Sequence, residues 1–458
     1  MATNTHIVAI PFPLQGHINP MIQLCNRLAS KGVGVTIITT VSFSSRLQRR
    51  AESLSNLLIN YETVPDWTPD GVEGLDVYEL FFHSFRAAIT SGLPDIIVKH
   101  IKTLRAVVYD SCVPWVLEIA HAKGLKGATL FTQPCTVTSV FYHVNKGSLV
   151  IPPEDDASEV SLPGMPLLGV KDLPSFVCSD NFYPSLLTLV VEQFSTFEQA
   201  DWRLFNTFDK LEDEILQWMG KKYEIRTIGP TVPSMYTDKR LVGNYDYGLS
   251  LFKPKLMESA CMKWLDEKED RSVVYVSFGS IADLSEKQME EVAWGLMESK
   301  CNFLWVVRET EQSKLPQDLV SSGLIMERGL IVNWCTQLEV LTHRAVGCFV
   351  THCGWNSTIE ALSLGVPMVA MPRWTDQTTT AKLVVDLWRT GVRAEADENE
   401  IVTKKEVAAR VYEVLQGDRG DEIRTSALKW KELAIEAVSE GGSSDKNITE
   451  IARQLLNA

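Results

Sequence analysis

Several features that would assign this chain to common functional classes are missing from its sequence. Its 458 residues include 44 basic and 58 acidic side chains, which gives a formal net charge of −14. A chain this acidic lacks the basic excess that binding to nucleic acid requires, so we expect no nucleic-acid partner. No run is apolar enough to cross a bilayer, and the start MATNTHIVAIPFP lacks a basic leader region. We therefore expect no membrane insertion and a cytoplasmic location.

The cysteines have no pairing pattern either. No two of the nine stand in a Cys-x-x-Cys arrangement, and an odd number cannot all pair within one chain. Scattered cysteines of this kind are typical of reduced, buried thiols in a cytosolic protein. They are Cys25, Cys112, Cys135, Cys178, Cys261, Cys301, Cys335, Cys348 and Cys353.

The length and the order of apolar runs predict an α/β protein with two cores. One hydrophobic core becomes rare beyond about 250–300 residues. The chain opens with a strand pattern at 6–13, a helical pattern at 19–32 and a β-branched run at 33–40. This alternation is typical of parallel sheets with helices on both faces. Further strands are predicted at 105–110, 272–278, 303–308, 329–334, 347–352 and 367–372, and helices near 114–123 and at 284–299.

We therefore predict two doubly wound, Rossmann-like domains that face each other across a cleft, a common place for a ligand. The first domain covers residues 1–233 and the second covers 257–440. Periodicity is lost over 234–256, which we interpret as the linker. The last helix, 441–458, can cross back to the first domain.

The segment THCGWNSTIEALSLG, residues 351–365, combines a strand end, a turn and a helix that ends at a glycine. Free N–H groups and the positive end of the helix dipole meet at such a turn, which suits a phosphate group. His352 adds a donor, Asn356 and Ser357 can bind phosphate oxygens, and Glu360 can hold ribose hydroxyls. The alternative is that Asn356 is only a helix cap and His352 only a core histidine. The crowding of these residues favours a diphosphate ligand with a sugar or nucleoside attached.

The known diphosphate motifs are absent. No Gly-x-Gly-x-x-Gly follows the first strand, and no Gly-x-x-x-x-Gly-Lys-Ser/Thr loop is present. There is also no Asp-x-Asp pair, no His-Glu-x-x-His and no Gly-x-Ser-x-Gly. The remaining option is a metal-free site, in which the helix dipole and His352 replace a magnesium ion.

The run WCTQLEVLTHRAVGCFVTHCGWNSTIEALSLGVPMVAMPRWTDQ, residues 334–377, closely resembles the donor-binding signature of plant family-1 UDP-glycosyltransferases. Five further segments of the chain resemble the family and occur in the same order: PFPLQGHINP (11–20), YDSCVPWVLE (109–118), FNTFDKLE (205–212), IGPTVPS (228–234) and VYVSFGS (274–280). The resemblance implies a GT-B fold, UDP-glucose as the donor substrate, no cofactor and no metal. The most similar group glucosylates carboxylates, phenols and terpenoid or steroid alcohols.

The resemblance also implies residue roles. Trp334 would stack on uracil beside the backbone of Cys335, and Gln337 with Glu360 would hold the ribose. The phosphates would bind His352, Asn356, Ser357 and Ser280, and the sugar hydroxyls would contact Trp355, Asp376 and Gln377. Gln377 is the residue that accompanies glucose in this family. The alternative is that Trp334 is a core tryptophan and Asp376 a solvated loop acid. Thr380 departs from the family, which usually has asparagine there, and puts the local helix start in question.

His17 is the candidate base for the transfer. It follows the first strand, on a predicted loop, and a histidine can exchange a proton near neutral pH. Asp110 ends the strand at 105–110 and can orient the imidazole. The family resemblance implies the same pair. The alternative is that His17 only caps the helix at Asn19. The predicted reaction is an inverting displacement that gives a β-glucoside.

The acceptor pocket is expected to come mostly from the first domain, with Trp374 from the second, and aromatic and apolar walls suit a lipophilic acceptor. Core packing is the alternative for each of them. The candidates are Phe12, Leu14, Phe131, Gln133, Phe141, Tyr142, Phe194, Phe197 and Trp374.

Other functions fit the sequence less well. The chain could form a glucose ester on a small carboxylic acid, epimerise a sugar nucleotide, sense a UDP-sugar without catalysis, or serve as a scaffold. We expect a monomer whose partners are UDP-glucose and the acceptor.

Overall fold

The structure, a computed structural model, describes residues 5–46, 48–49, 59–67, 77–153, 159–178, 184–250, 258–280, 283–321 and 327–458. The chain divides into two compact units. The N-terminal unit comprises Met1–Phe252 together with Ile435–Ala458, and the C-terminal unit comprises Lys253–Ala434.

A seven-stranded parallel sheet forms the centre of the described N-terminal unit. Its strand order is β7-β6-β5-β4-β1-β2-β3, so successive strands are added outward on one side of β1 and then on the other. The chain order therefore reverses between β1 and β4, and the crevice at their carboxyl ends is the usual ligand position in such sheets. The strands are β1 (His6–Ile10), β2 (Gly34–Thr40), β3 (Ile59–Val64), β4 (Leu104–Asp110), β5 (Lys126–Phe131), β6 (Trp202–Phe205) and β7 (Ile225–Thr227).

Both faces of this sheet are buried. Alternate strand residues point to opposite sides, so neighbouring residues of β1 report on different faces. Ile7 and Ala9 belong to one hydrophobic cluster, and Val8 and Ile10 belong to another. A strand buried on both faces is expected to be continuously apolar. Strand β1, with the sequence HIVAI, is apolar after its first residue and buried throughout.

The described C-terminal unit contains a six-stranded parallel sheet with the order β10-β9-β8-β11-β12-β13. The chain order reverses between β8 and β11, so the second crevice lies at their carboxyl ends. One face is covered by two helices that supply Val292 and Val407 to a hydrophobic cluster shared with the strands. The strands are β8 (Val273–Ser277), β9 (Asn302–Val306), β10 (Gly329–Val332), β11 (Val346–Thr351), β12 (Met368–Ala370) and β13 (Gly391–Arg393).

Helices connect the strands in both units. None of those described combines the length and the apolar character needed to cross a bilayer. In the N-terminal part they are α1 (Gln15–Ser30), α2 (Val41–Arg46), α3 (Val77–His100), α4 (Val116–His121), α5 (Cys135–Asn145), α6 (Ser175–Cys178), α7 (Pro184–Glu192) and α8 (Asp213–Gly220). The later helices are α9 (Glu258–Asp266), α10 (Glu286–Glu298), α11 (Gln317–Ser321), α12 (Gln337–Thr342), α13 (Trp355–Leu364), α14 (Gln377–Lys382), α15 (Lys404–Leu415), α16 (Gly420–Val438) and α17 (Ser443–Leu456).

The domain boundaries differ from those predicted from periodicity. Residues 234–250 group with the N-terminal unit, and a buried ion pair between Arg27 and Asp238 holds them there with Nη1 and Oδ2 3.0 Å apart. The segment folds by turns and side-chain hydrogen bonds, which leave no periodic pattern in the sequence. The remainder of the predicted linker, 251–256, lies outside the described residues. Helix α17 packs on α1 and β7, within the N-terminal unit.

Helix α1 also begins earlier than predicted. It starts at Gln15 rather than Asn19, so Pro20 lies inside the helix. Proline favours the first helical position, which is why the sequence pattern indicated a later start. His17 consequently lies in the first turn of α1 and not on a loop.

Candidate functional site

Two residues at the crevice of the N-terminal sheet form a close polar pair. Asp110 is the last residue of β4, and His17 follows β1 in the first turn of α1. The imidazole Nδ1 lies 2.8 Å from the carboxylate Oδ2 of Asp110, whose side chain is fully buried. The His17 side chain is 24% exposed. A partly exposed imidazole is therefore held by a carboxylate that solvent cannot reach.

Neighbouring groups fix this pair further. The backbone N–H of Cys112 donates to Oδ1 of Asp110 at 3.0 Å, so both carboxylate oxygens have a partner. Thr132 Oγ1 lies 3.0 Å from His17 Nδ1. The carboxylate contact assigns the imidazole proton to Nδ1, which gives Nε2 the lone pair. A neutral imidazole in this tautomer can accept a proton at Nε2, as a general base does.

Phenylalanines surround the same crevice. The Phe12 ring lies 5.2 Å, centroid to centroid, from the imidazole of His17. It also lies 6.1, 5.6 and 5.9 Å from the rings of Phe81, Phe82 and Phe85 on α3. Phe81 is 37% exposed, so part of this aromatic surface faces solvent. The α3 phenylalanines are not among the acceptor residues predicted from sequence, although their spacing places them on adjacent turns of one helix.

The other predicted acceptor residues divide into two groups. Phe131 stacks on Phe205 at 4.6 Å, and Tyr142 packs edge-on against Phe194 at 5.7 Å. The five aromatic residues of this group are all buried, which favours core packing as their role. They are Phe131, Phe141, Tyr142, Phe194 and Phe197. Leu14, Gln133 and Trp374 remain partly exposed.

The C-terminal unit has a strand, turn and helix at its own crevice. Strand β11 ends at Thr351, and α13 begins at Trp355 with Gly354 as its N-cap residue. Gly354 has no side chain to cap the helix, and Asn356 is at the second helical position, so the alternative that Asn356 is the N-cap is wrong. Both Asn356 and Ser357 are partly exposed in the first turn. The first N–H groups of a helix have no partner within it, and they attract anions.

His352 is confined between two glycines. A Cβ atom added to Gly279 or to Gly354 would lie 2.6 Å from its Nε2, which is too close for any side chain. Burial lowers the pKa of His352 to about 4, and the positive charge of Arg308 acts in the same direction. His352 is therefore neutral at neutral pH. It can donate a hydrogen bond to an anion but supplies no charge.

Arg308 is a cation at this crevice that the sequence analysis missed. It follows β9, and its Nη1 donates to the backbone carbonyl of Ser280 at 2.6 Å. Its Nη2 lies 2.9 Å from Oε2 of Glu311. Arg308 thus fixes the backbone of Ser280, a predicted phosphate-binding residue. Nothing in the local sequence distinguishes it from other arginines, because its contact at the crevice, the Ser280 carbonyl, lies in another segment.

A hydrogen-bonded network joins the predicted ribose-binding residues. Gln337 Nε2 donates to Glu360 Oε2 at 2.7 Å and to Ser357 Oγ at 3.0 Å. The Gln337 carbonyl Oε1 accepts from the Tyr275 hydroxyl at 3.1 Å. Tyr275 is 1% exposed, and burial raises the pKa of its hydroxyl. Tyr275 therefore stays protonated and fixes the orientation of the Gln337 amide, a role that the sequence analysis did not identify.

The base-binding candidates lie just beyond β10. Trp334 is partly exposed, whereas Cys335 is buried with its Sγ 3.5 Å from the Tyr275 hydroxyl. This arrangement is compatible with the expected roles, in which the tryptophan offers its ring and the cysteine only its backbone.

The predicted sugar-binding residues occupy the start of α14. Gln377 Oε1 accepts from the backbone N–H groups of Arg373 and Trp374 at 2.9 and 3.2 Å, which makes its amide nitrogen the group that can donate to a ligand. Asp376 is partly exposed, and its backbone carbonyl accepts from the buried hydroxyl of Thr380 at 3.0 Å.

The ring of Trp355 is buried 6.0 Å from that of Trp388, so Trp355 offers a ligand mainly its backbone.

Comparison with known proteins assigns the family. The family model described as UDP-glucoronosyl and UDP-glucosyl transferase matches residues 193–429, and the glycosyltransferase N-terminal domain model matches 3–61. The chain belongs to the UDP-glycosyltransferase family. It is an enzyme of plant secondary metabolism that transfers a glycosyl group from a UDP-sugar, and its fold is of the GT-B type.

Individual relatives of this glycosyltransferase match along almost its whole length. UDP-glycosyltransferase 74E2 of Arabidopsis thaliana is 48% identical over 98% of this chain and 99% of that protein. UDP-glucosyltransferase 74AE2 of Panax ginseng is 45% identical over 100% of both. Among solved structures, Os79 from O. sativa in complex with UDP has a TM-score of 0.88 and 36% identity, with 98% and 100% of the two chains covered. Os79 has also been solved in a complex with a trichothecene.

Proposed function

We propose that this enzyme is an inverting glucosyltransferase that moves glucose from UDP-glucose to a hydroxyl of a lipophilic small molecule and forms a β-glucoside. The observation that carries the proposal is the pairing of His17 with the buried carboxylate of Asp110 at 2.8 Å. A base oriented in this way suits removal of a proton from an alcohol.

In the proposed reaction the acceptor hydroxyl gives its proton to Nε2 of His17. The acceptor oxygen attacks the anomeric carbon on the face opposite UDP, so the bond to the diphosphate breaks as the new bond forms. Asp110 stabilises the imidazolium that results. Negative charge grows on the leaving diphosphate, and the first turn of α13 with the neutral donor His352 stabilises that charge. The reaction needs neither a metal nor an organic cofactor.

The donor roles follow the network in the C-terminal unit. We assign the ribose to Gln337 and Glu360, because their amide and carboxylate are already joined and can share the two ribose hydroxyls. Uracil is assigned to the Trp334 ring and the Cys335 backbone. The remaining assignments are the phosphates to Ser280, His352, Asn356 and Ser357, and the glucose to Trp355, Asp376 and Gln377.

Glucose as the donor sugar is supported by the relative from Panax ginseng, which is named a glucosyltransferase. A small apolar acceptor is supported by the aromatic surface of Phe12 and Phe81 beside His17, and by the trichothecene bound to Os79. Transfer requires that the acceptor oxygen, whose proton His17 removes, reach the anomeric carbon of the donor sugar.

Acceptor identity is tested by incubating the purified enzyme with UDP-glucose and a panel of steroids, triterpenoids, flavonoids, small phenols and carboxylic acids. Mass spectrometry is expected to detect an alcohol or phenol acceptor that has gained one hexose, and NMR should assign the β configuration. A product formed only from carboxylic acids, and cleaved by mild alkali, would replace the proposal by glucose-ester formation. UDP-glucose binding without any product would favour a sensor.

The base assignment has a matched control within the same unit. His121 and Asp201 also form a histidine–aspartate pair, with Nε2 and Oδ2 3.1 Å apart, but both side chains are substantially exposed. His17→Ala is expected to lower turnover on an alcohol by about 10²–10⁴-fold. His121→Ala is expected to retain it. Equal effects of the two substitutions would overturn the base assignment.

A further inference from the structure

A thiol lies beside the proposed base. In the part of the chain that the structure describes, His17, Asp110 and Cys112 form a group of metal-ligating side chains whose ligand atoms all lie within 4.8 Å of one another. The cluster arises because β4 ends at Asp110 and the chain turns there, with the N–H of Val113 donating to the Asp110 carbonyl at 2.9 Å. This turn returns the Cys112 side chain towards the carboxylate. The proposed reaction uses the histidine and the aspartate but not the thiol.

We propose that His17, Asp110 and Cys112 form an inhibitory binding site for a thiophilic divalent cation such as Zn²⁺. One nitrogen, one oxygen and one sulfur ligand are the set that zinc accepts in tetrahedral sites with an open fourth position. Zinc bonds of about 2.0–2.3 Å place the ligand atoms of such a site roughly 3.5 Å apart. The observed separations of at most 4.8 Å are within about 1.3 Å of this value, so small adjustments would complete the site.

The burial pattern provides a way in and an open coordination position. Asp110 and Cys112 are buried, at 0% and 5% exposure, whereas the His17 side chain is 24% exposed. A cation can therefore enter past the imidazole and keep one water on that side. Mg²⁺ and Ca²⁺ prefer six or more oxygen ligands, so this small mixed site should discriminate against them.

Metal binding would stop the reaction through the tautomer of His17, a consequence that rests on the proposed function. In the reactive tautomer the proton is on Nδ1 and the lone pair is on Nε2. Coordination by Nδ1 requires that this nitrogen lose its proton and that Nε2 carry one, while the thiol releases its proton to solvent. Nε2 can then no longer accept a proton from the acceptor hydroxyl. The cation also takes the Asp110 oxygen that orients the ring.

The geometry favours reversible binding. Three protein ligands, one of them the partly exposed His17, form an open site rather than the closed four-ligand shell of a structural zinc. A chelator should therefore reverse the inhibition. These properties distinguish the site from a structural zinc site, whose removal unfolds the protein.

The test compares wild type, Cys112→Ala and Cys25→Ala. Cys25 is the matched control, because it is a buried cysteine of the same unit that belongs to a different hydrophobic cluster. The turnover of each protein is expressed relative to its own turnover without metal. Zn²⁺, but not Mg²⁺, is expected to inhibit wild type and Cys25→Ala, and Cys112→Ala should need at least about tenfold more Zn²⁺. Equal sensitivity of Cys112→Ala and wild type would overturn the proposal.

A spectroscopic measurement keeps the site testable even if no acceptor gives turnover. Co²⁺ added to wild type is expected to produce a thiolate-to-metal absorption band that is missing in Cys112→Ala and retained in Cys25→Ala. Absence of this band in wild type would contradict the site, whatever the activity. Cys112→Ser, which keeps the size of the side chain, serves if the alanine variant does not fold, and the same loss of the band is expected.

Discussion

Replacing Gly354 by alanine tests whether the confinement of His352 matters for donor binding. Gly354 has φ −60° and ψ 142°, values that alanine adopts without strain, so the substitution acts only through its added methyl group. That methyl would lie 2.6 Å from Nε2 of His352, and 3.2 and 3.3 Å from two ring carbons. The contact to Nε2 is far below ordinary van der Waals separation. Either the imidazole or the start of α13 must therefore move by roughly 1 Å.

The expected cost follows from this overlap. Inserting a methyl group into a closely packed site typically costs about 1–3 kcal/mol. Because the displaced atoms are the proposed phosphate donors, this cost should appear as lost affinity for the diphosphate. A factor of ten in affinity corresponds to about 1.4 kcal/mol, so the Kd for UDP should rise roughly 5- to 150-fold.

The assay is a calorimetric titration of UDP into Gly354→Ala, with the thermal unfolding temperature measured in parallel. The control is Gly220→Ala, because no atom lies within 4 Å of the added methyl and the residue ends helix α8. The control should bind UDP as wild type does. If Gly354→Ala bound UDP with wild-type affinity while remaining folded, His352 and the start of α13 would not form the phosphate site.

Three further predictions concern side chains of the C-terminal unit. Tyr275→Phe removes the hydroxyl that orients the Gln337 amide. In steady-state kinetics the KM for UDP-glucose should therefore rise about fivefold, while kcat stays within twofold of wild type. An unchanged KM would contradict this role. Thr380→Val removes the hydrogen bond to the Asp376 carbonyl, so the affinity for UDP-glucose should fall several-fold while the affinity for UDP stays unchanged. An equal fall in both affinities, measured by titration, would assign Thr380 no role at the sugar. The folded-state pKa of His352, about 4, lies below its unfolded value of 6.5, so the unfolded chain binds the proton first and stability is lost as pH falls through that window. Urea titrations at pH 7 and pH 5 give the free energy of unfolding. Its decrease between the two pH values should be about 2 kcal/mol smaller in His352→Gln than in wild type. Equal decreases would refute the lowered pKa of His352.

The parts of the fold that could be predicted from sequence are those set by local pattern. The strands that could be predicted are apolar or β-branched runs, unlike the mixed sequence of β3. The THCGWN segment indicates a strand end, a turn and a helix start because glycine and apolar spacing are local signals. The position of His17 and Asp110 at strand ends could be inferred for the same reason. Their separation of 2.8 Å could not, because they are 93 positions apart in the sequence and only the sheet order brings them together.

The features that the sequence did not reveal depend on contacts between distant segments. Tyr275 acts on Gln337 from a different strand, and Arg308 reaches Ser280 from another. The α3 phenylalanines contact Phe12 across about 70 positions of sequence, through tertiary packing. The neutral state of His352 follows from burial, which no local pattern encodes. In each case the residue type was ordinary and its environment gave it a role.

The most direct test of the account is a paired measurement on His17→Ala, in which transfer to an alcohol acceptor and affinity for UDP are determined on the same preparation. The account predicts that transfer falls by at least about a hundredfold while the affinity for UDP stays at the wild-type value. Near-normal transfer to the alcohol, with UDP still bound, would contradict the assignment of His17 as the base.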